Sequence, residues 1–299
     1  MTTDGEGGDH VREPAMFGGV VVQSSQPSDE AVVAVLRDGL ERVVAQCIGI
    51  DLSWTTTAVV ASDDLSSEDT DIGRPGIDWE FALGRGEPLR SVTLTGMATA
   101  LEGYDWHPKW LPVTVHARMP VSVAHGRGDG GGLVVGLSMH RWAMYGGGED
   151  LVRVAELLTP WLLDATDRLG ADTGYATLDQ VTAEDDQSPW ERVTRCAPSL
   201  RDVTRTLWGY GWGTLLSPVH VEAVGGLDAL RGVLPTVELR DAGSGRTWLT
   251  LGPDPAAVRP EDIAALREVL APALPVGSRT LEEWERSVAL GEHPERYVV

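Results

Sequence analysis

Apolar and polar positions repeat along the chain at two periods, and the switches between them predict the elements. Phe17-Gly-Gly-Val-Val-Val22 is an unbroken apolar run and reads as a first strand. Ser28, Asp29 and Glu30 mark a helix start, because acids suit the positive end of the helix dipole. Val32, Val33, Leu36, Leu40, Val43, Val44 and Cys47 follow at helical spacing and share one face. Asp51 to Ala61 is rich in β-branched residues and reads as strand, and the polar, acidic stretch Ser62 to Gly76 reads as loop.

The middle of the chain is β-rich. Leu89 to Leu94 predicts one strand. Pro112 to Val123 contains another, in which Val113, Val115, Ala117 and Met119 alternate with Thr114, His116 and Arg118, the pattern of a sheet with one wet face. Leu133 to Met139 predicts the next. From about Glu149 to Leu169, the stripe Leu151, Val154, Leu158, Trp161, Leu162, Ala165, Leu169 predicts a long amphipathic helix, which Pro160 should kink or divide. Thr173 to Leu178 reads as strand. Residues 17–61 and 132–179 therefore share one pattern of strand, amphipathic helix and strand.

The last third is mixed. Ser199 heads a short predicted helix to Leu207, and Ser217-Pro218 caps another that Gly225-Gly226 stops. Thr236–Arg240 and Thr247–Leu251 form a hairpin around Asp241 to Gly245; Pro260, Glu261 and Asp262 open a helix; Thr280 and Glu283 form a capping box ahead of Trp284. The expectation is an α+β protein of two βαβ-like halves, with mixed or antiparallel sheets flanked by amphipathic helices. The halves are residues 16–125 and 132–299, after a disordered acidic arm at residues 1–15.

Composition narrows the function. Twenty-four basic residues against 45 acidic ones leave a net charge of −21 in 299 residues, which repels nucleic-acid phosphates and anionic lipid. Two cysteines, Cys47 and Cys196, exclude a disulfide scaffold and a four-cysteine zinc site. No apolar run is long enough to span a membrane and the glycine-rich acidic start is unlike a signal peptide, so the expected location is the cytoplasm. Tryptophan is the dominant aromatic residue, 11 against 5 Tyr and 2 Phe, and it is enriched at protein interfaces.

Motifs for chemistry are scarce. The loop Gly126 to Gly132 precedes a strand rather than a helix and lacks the lysine of a phosphate cradle. His107, His116, His125 and His140 lie close in sequence but show no metal-ligand spacing within one element. Paired acids such as Asp63/Asp64 and Asp185/Asp186 sit in polar loops. No catalytic residue, metal or cofactor is assigned. In Trp208-Gly-Tyr-Gly-Trp-Gly213 a strand would place Trp208, Tyr210 and Trp212 on one face, as either a core slab or a stacking surface. Trp106, Trp110, Trp142 and Tyr145 form a second, loop-borne aromatic group.

The stretches Ser138-Met-His-Arg-Trp-Ala-Met-Tyr-Gly-Gly-Gly148, Thr173-Gly-Tyr-Ala-Thr-Leu178 and Gly209-Tyr-Gly-Trp-Gly-Thr-Leu-Leu216, with the helix at Gly225 to Leu230, carry a resemblance. Over residues 130–275 the chain resembles the uncharacterised type VI secretion immunity-protein family, found beside toxin genes in bacteria. That family offers no catalytic residues to carry over, so the resemblance implies binding without a reaction. The expected function is a non-catalytic protein that neutralises or regulates a basic protein partner such as a toxin. The assigned partner-binding residues are Trp106, Trp110, Trp142, Tyr145, Trp208, Tyr210, Trp212, Asp185 and Asp186. Two alternatives stay open. One is an enzyme gathering some of His116, His140, Arg141, Asp179 and Glu184 in a pocket; the other is a structural or assembly subunit.

Overall fold

A computed structural model describes residues 15–47, 52–60, 71–78, 89–98, 113–118, 132–140, 151–180, 202–233 and 236–275. The strands are β1 (Ala15–Val22), β2 (Leu52–Val60), β3 (Asp71–Pro75), β4 (Leu89–Ala98), β5 (Val113–Arg118), β6 (Leu133–His140), β7 (Thr173–Gln180), β8 (Gly213–Leu216), β9 (Val237–Asp241) and β10 (Thr247–Leu251). They form one sheet of ten strands in the order β3-β2-β4-β5-β6-β1-β7-β8-β10-β9. Every neighbouring pair is antiparallel. The fold is α+β as expected, and of the mixed or antiparallel arrangements anticipated it is the antiparallel one, with both halves combined in a single sheet.

The path through this sheet interleaves the two halves of the chain. β1 lies between β6 and β7, paired through Gly19↔Gly136 on one side and Gly19↔Tyr175 on the other. The strands after β1 build the wing beyond β6, and those after β6 build the wing beyond β1. Both halves begin strand–helix–strand, and in both the two strands run parallel. The wings are threaded differently, however. The outermost hairpin is β2–β3, the first pair after its helix, in one wing, and β9–β10, the last pair, in the other.

Two helices cover one face. α1 (Asp29–Asp38) is capped by Ser28, whose side chain accepts from the Ala31 amide, and it continues as a π-helical turn at Gly39–Val44 and a last α-turn at Ala45–Cys47. The wide turn has a visible cause. The Val35 carbonyl accepts the Gly39 amide and also the indole N–H of Trp161 at 2.9 Å, so a side chain enters the helical ladder where it widens.

α2 (Leu151–Leu169) carries that tryptophan and buries the stripe read from the sequence. It runs unbroken through Pro160, so the division, one of the two outcomes expected of that proline, does not occur. Pro160 removes a donor from the Glu156 carbonyl, and both residues face solvent, where water replaces the bond. α2 settles onto β1 where there is no side chain: a Cβ on Gly18 would stand 3.0 Å from Leu158.

At β8 and β10 the sheet is covered on both faces. Every residue of β8 and β10 is buried, so their alternate side chains all lie in core. α3 (Pro218–Ala223), α4 (Leu227–Val233) and α5 (Pro260–Leu270) complete this region, with Leu230, Ile263, Leu266 and Leu270 in the main core. The Ser217 cap, the helix start at Pro260 and the β9–β10 hairpin stand where the sequence predicts them.

Two sequence expectations change. The end of the predicted acidic loop is β3, an edge strand whose Asp-Ile-Gly-Arg-Pro composition is that of a turn; Pro75 is tolerated because its position lies on a sheet edge. The helix expected from Ser199 to Leu207 is, over its described part, one turn: the Asp202 carbonyl accepts the Arg205 and Thr206 amides, and its carboxylate takes the Thr204 amide. Of the arm expected at residues 1–15, Ala15 is already the first residue of β1 and 1–14 lie outside the described residues, as do the capping box at Thr280 and the tail.

Candidate functional site

The glycine–aromatic segment has an inward role. Residues 208–212 are not strand, since β8 begins only at Gly213, so the expected shared face of Trp208, Tyr210 and Trp212 does not form. The three rings are instead divided between two clusters and all are buried, with exposures of 3%, 0% and 4%. Trp208 joins Phe17, Val21, Val134, Tyr175 and Val203 in a small second cluster. Its ring centroid stands 4.7 Å from Tyr175 and 6.0 Å from Phe17, both edge-on. Tyr210 and Trp212 join the main core. Burial holds the Tyr210 hydroxyl far above its usual range, opposed by Arg267. The Trp212 indole donates to the Gly252 carbonyl at 2.8 Å, and its own carbonyl takes the Leu251 amide. The glycines do admit a close approach, but of this chain itself: a Cβ on Gly211 would stand 2.6 Å from the Ala176 carbonyl. All three rings are core residues, in two separate clusters.

The other residues assigned to partner binding, Trp106, Trp110, Trp142, Tyr145, Asp185 and Asp186, lie outside the described residues. Register separates two of the histidines grouped by sequence. His116 on β5 pairs with Gly136 on β6, four residues from His140, a separation of about 13 Å along the strand. Among the described residues no group of three or more His, Cys, Asp or Glu side chains could hold a metal ion. Of the residues in the enzymatic alternative, Asp179 is on β7, while Arg141 and Glu184 lie outside the described residues. Burial pushes the Cys47 thiol up to about 11, against the pull of Arg153, so it is a poor nucleophile near neutrality.

A polar hub that sequence reasoning did not single out surrounds the end of β1. The Asp172 carboxylate, in the turn from α2 to β7, accepts the amides of Gln23 and Ser24 at 2.7 Å each and the Ser24 hydroxyl at 2.5 Å. The Gln23 side-chain carbonyl accepts the Val203 amide, tying in the segment that carries Trp208. Beyond it, Ser217 caps α3, and its amide donates to Nδ1 of His220 at 3.2 Å while its hydroxyl stands 3.1 Å from the same nitrogen. Serine, histidine and aspartate are the residue types of a hydrolytic triad, but they are engaged otherwise here: the Ser217 amide and hydroxyl both meet Nδ1 of His220, and Asp172 is taken up by Gln23 and Ser24. His220 has no exposed surface. Burial lowers the His220 imidazole to about 4, with Asp172, the Thr206 backbone and Asp202 opposing. It is neutral at physiological pH. No local motif signals this hub, because its members come from four separate stretches of chain.

Surfaces remain as candidates. In the β2–β4 wing the Cα-paired Thr56 and Leu94 are buried, whereas the alternate pairs Thr55↔Thr95 and Thr57↔Thr93 are half-buried and Ser53 is exposed. One face of that wing is thus core and the other is neutral, polar and partly wet.

The sequence matches no protein-family model and no curated protein. The structure is similar to that of the Pseudomonas aeruginosa T6SS protein PA0821, with a TM-score of 0.54 and 14% identity, over 90% of this chain and 78% of that one. The likeness is one of fold.

Proposed function

We propose that this chain is a non-catalytic, protein-binding component of a T6SS-related system, which neutralises or regulates a basic protein partner in the manner of an immunity protein. The observation that carries this reading is the fold held in common with a T6SS protein over 90% of the chain. Two others support it. The described polar and nucleophilic groups that invite a catalytic reading, Ser217, His220, Asp172 and Cys47, are bound up in caps and turns or raised in pKa by burial. The net charge of −21 accelerates encounter with a positively charged protein and disfavours anionic partners.

The test is a tagged pull-down from the native cell at low and high salt, read by mass spectrometry. One dominant basic protein, released as salt rises, is the expected result. The absence of any specific protein at either salt overturns the reading.

A further inference from the structure

β9 is the last strand of the sheet, and among the described residues nothing pairs with its outer edge. Its side chains sort cleanly by face. Val237 and Leu239 are half-buried against the core; Glu238 and Arg240 point the other way, 47% and 54% exposed, and form an ion pair at 3.1 Å. An unpaired edge is a template for another strand, and charged residues on it turn away strands whose charges do not match them.

The sequence of β9 is complementary to itself. Set two copies antiparallel about a two-fold axis at Leu239, and Leu239 faces Leu239, each Glu238 faces the Arg240 of the other copy, and at the two ends Val237 faces Asp241. A slip of one residue leaves Glu238 facing Leu239 or Asp241 and Arg240 facing Val237 or Leu239, so no opposite charges meet. A slip of two sets Glu238 opposite Glu238, or Arg240 opposite Arg240. The register centred on Leu239 alone sets opposite charges across the joint at both Glu238 and Arg240, and, like any antiparallel pairing of identical strands, it closes about a two-fold axis. Opposite charges directly across a strand pair attract and like charges repel, so the pattern selects register as well as partner.

We infer that β9 is a self-pairing edge: two copies of this chain join antiparallel through Val237–Asp241, extending each ten-stranded sheet into the other. The occupant is a second copy rather than a foreign strand because the charge match is with β9 itself. Repulsion between two chains of −21 opposes the joint, but at about 0.15 M salt it is screened beyond about 8 Å, whereas facing Glu238 and Arg240 side chains are in contact range. The inference stands apart from the proposed binding of another protein.

The experiment is sedimentation velocity of the full chain from low to high micromolar concentration, on the native protein and three variants. The native chain is expected to pass from monomer to dimer. E238R and R240E each set like charges across the joint at two places and should weaken the dimer by about tenfold or more. The double variant E238R/R240E restores the facing opposite charges and should recover it, which neither misfolding nor a general charge effect would produce. A native chain that stays monomeric throughout overturns the inference and leaves the edge to a strand of another protein. A dimer indifferent to the single reversals overturns it too, because the joint then lies elsewhere.

Discussion

Ser24 and Asp172 stand 148 residues apart in the chain and are joined by two hydrogen bonds, from the Ser24 amide at 2.7 Å and its hydroxyl at 2.5 Å to the two carboxylate oxygens. This contact fastens the exit of β1 to the turn that launches β7, the seam where one half of the chain enters the other. A third bond from the Gln23 amide completes the clamp.

Asp172→Ala removes the acceptor for all three donors in a site only 6% exposed. Backbone amides left unpaired there should cost on the order of 2–4 kcal/mol, since bonds to a charged acceptor are stronger than neutral ones. Urea denaturation should show a lower midpoint at an unchanged slope. Asp172→Asn keeps one acceptor oxygen and should fall between the two.

His220 makes stability depend on pH in a stated window. Its folded pKa is lowered from 6.5 to about 4, so folding favours the neutral ring. The unfolded chain takes up the proton first as pH falls. The contribution is therefore fully present above about 6.5 and lost progressively toward pH 4, with a full loss of roughly 3 kcal/mol. His220→Gln, measured by thermal melts across this range, should flatten the slope between pH 6.5 and 4 relative to the native chain. An unchanged slope would count against a neutral, buried His220.

Gly174 sits where β7 lies against β1, and a Cβ there would stand 2.6 Å from the Gly19 carbonyl. That neighbour is backbone in the centre of the sheet and cannot turn aside. Gly174→Ala should lose at least about 2 kcal/mol, although alanine is usually preferred to glycine in a strand. Leu158→Ala, a fully buried residue of α2 lying over Gly18, should cost about 2–5 kcal/mol through the cavity it leaves. Chemical denaturation measures both.

The interleaved path makes the halves interdependent. Residues 16–125 without β6 leave β1 and β5 unpaired on facing edges; residues 132–299 without β1 leave β6 and β7 likewise. Each half expressed alone should show little cooperative unfolding, and the two expressed together should reassemble into one cooperative unit. Calorimetry of each half and of the mixture distinguishes this from two self-sufficient domains.

The amino-acid sequence by itself determined the elements whose signal is local. The stripe of α2, the strand β5, the Ser28 and Ser217 caps and the β9–β10 turn are set by periodicity and capping chemistry within a few residues, and the structure holds them where they were read. β3 escaped because an edge strand needs little burial, and its Asp, Gly and Pro residues look like a turn. The shared strand–helix–strand start of the two halves was legible; the placement of β1 between β6 and β7 was not. Strand order depends on which apolar faces meet across more than a hundred residues, and no short window of sequence carries that. Trp208, Tyr210 and Trp212 show the same limit. Their composition marks them as unusual, but whether such rings face a partner or the core depends on what packs over them, and here that is Tyr175, Phe17 and the remainder of the core. The Asp172 hub is wholly a product of tertiary structure, because its geometry arises only when distant backbone amides converge on one carboxylate.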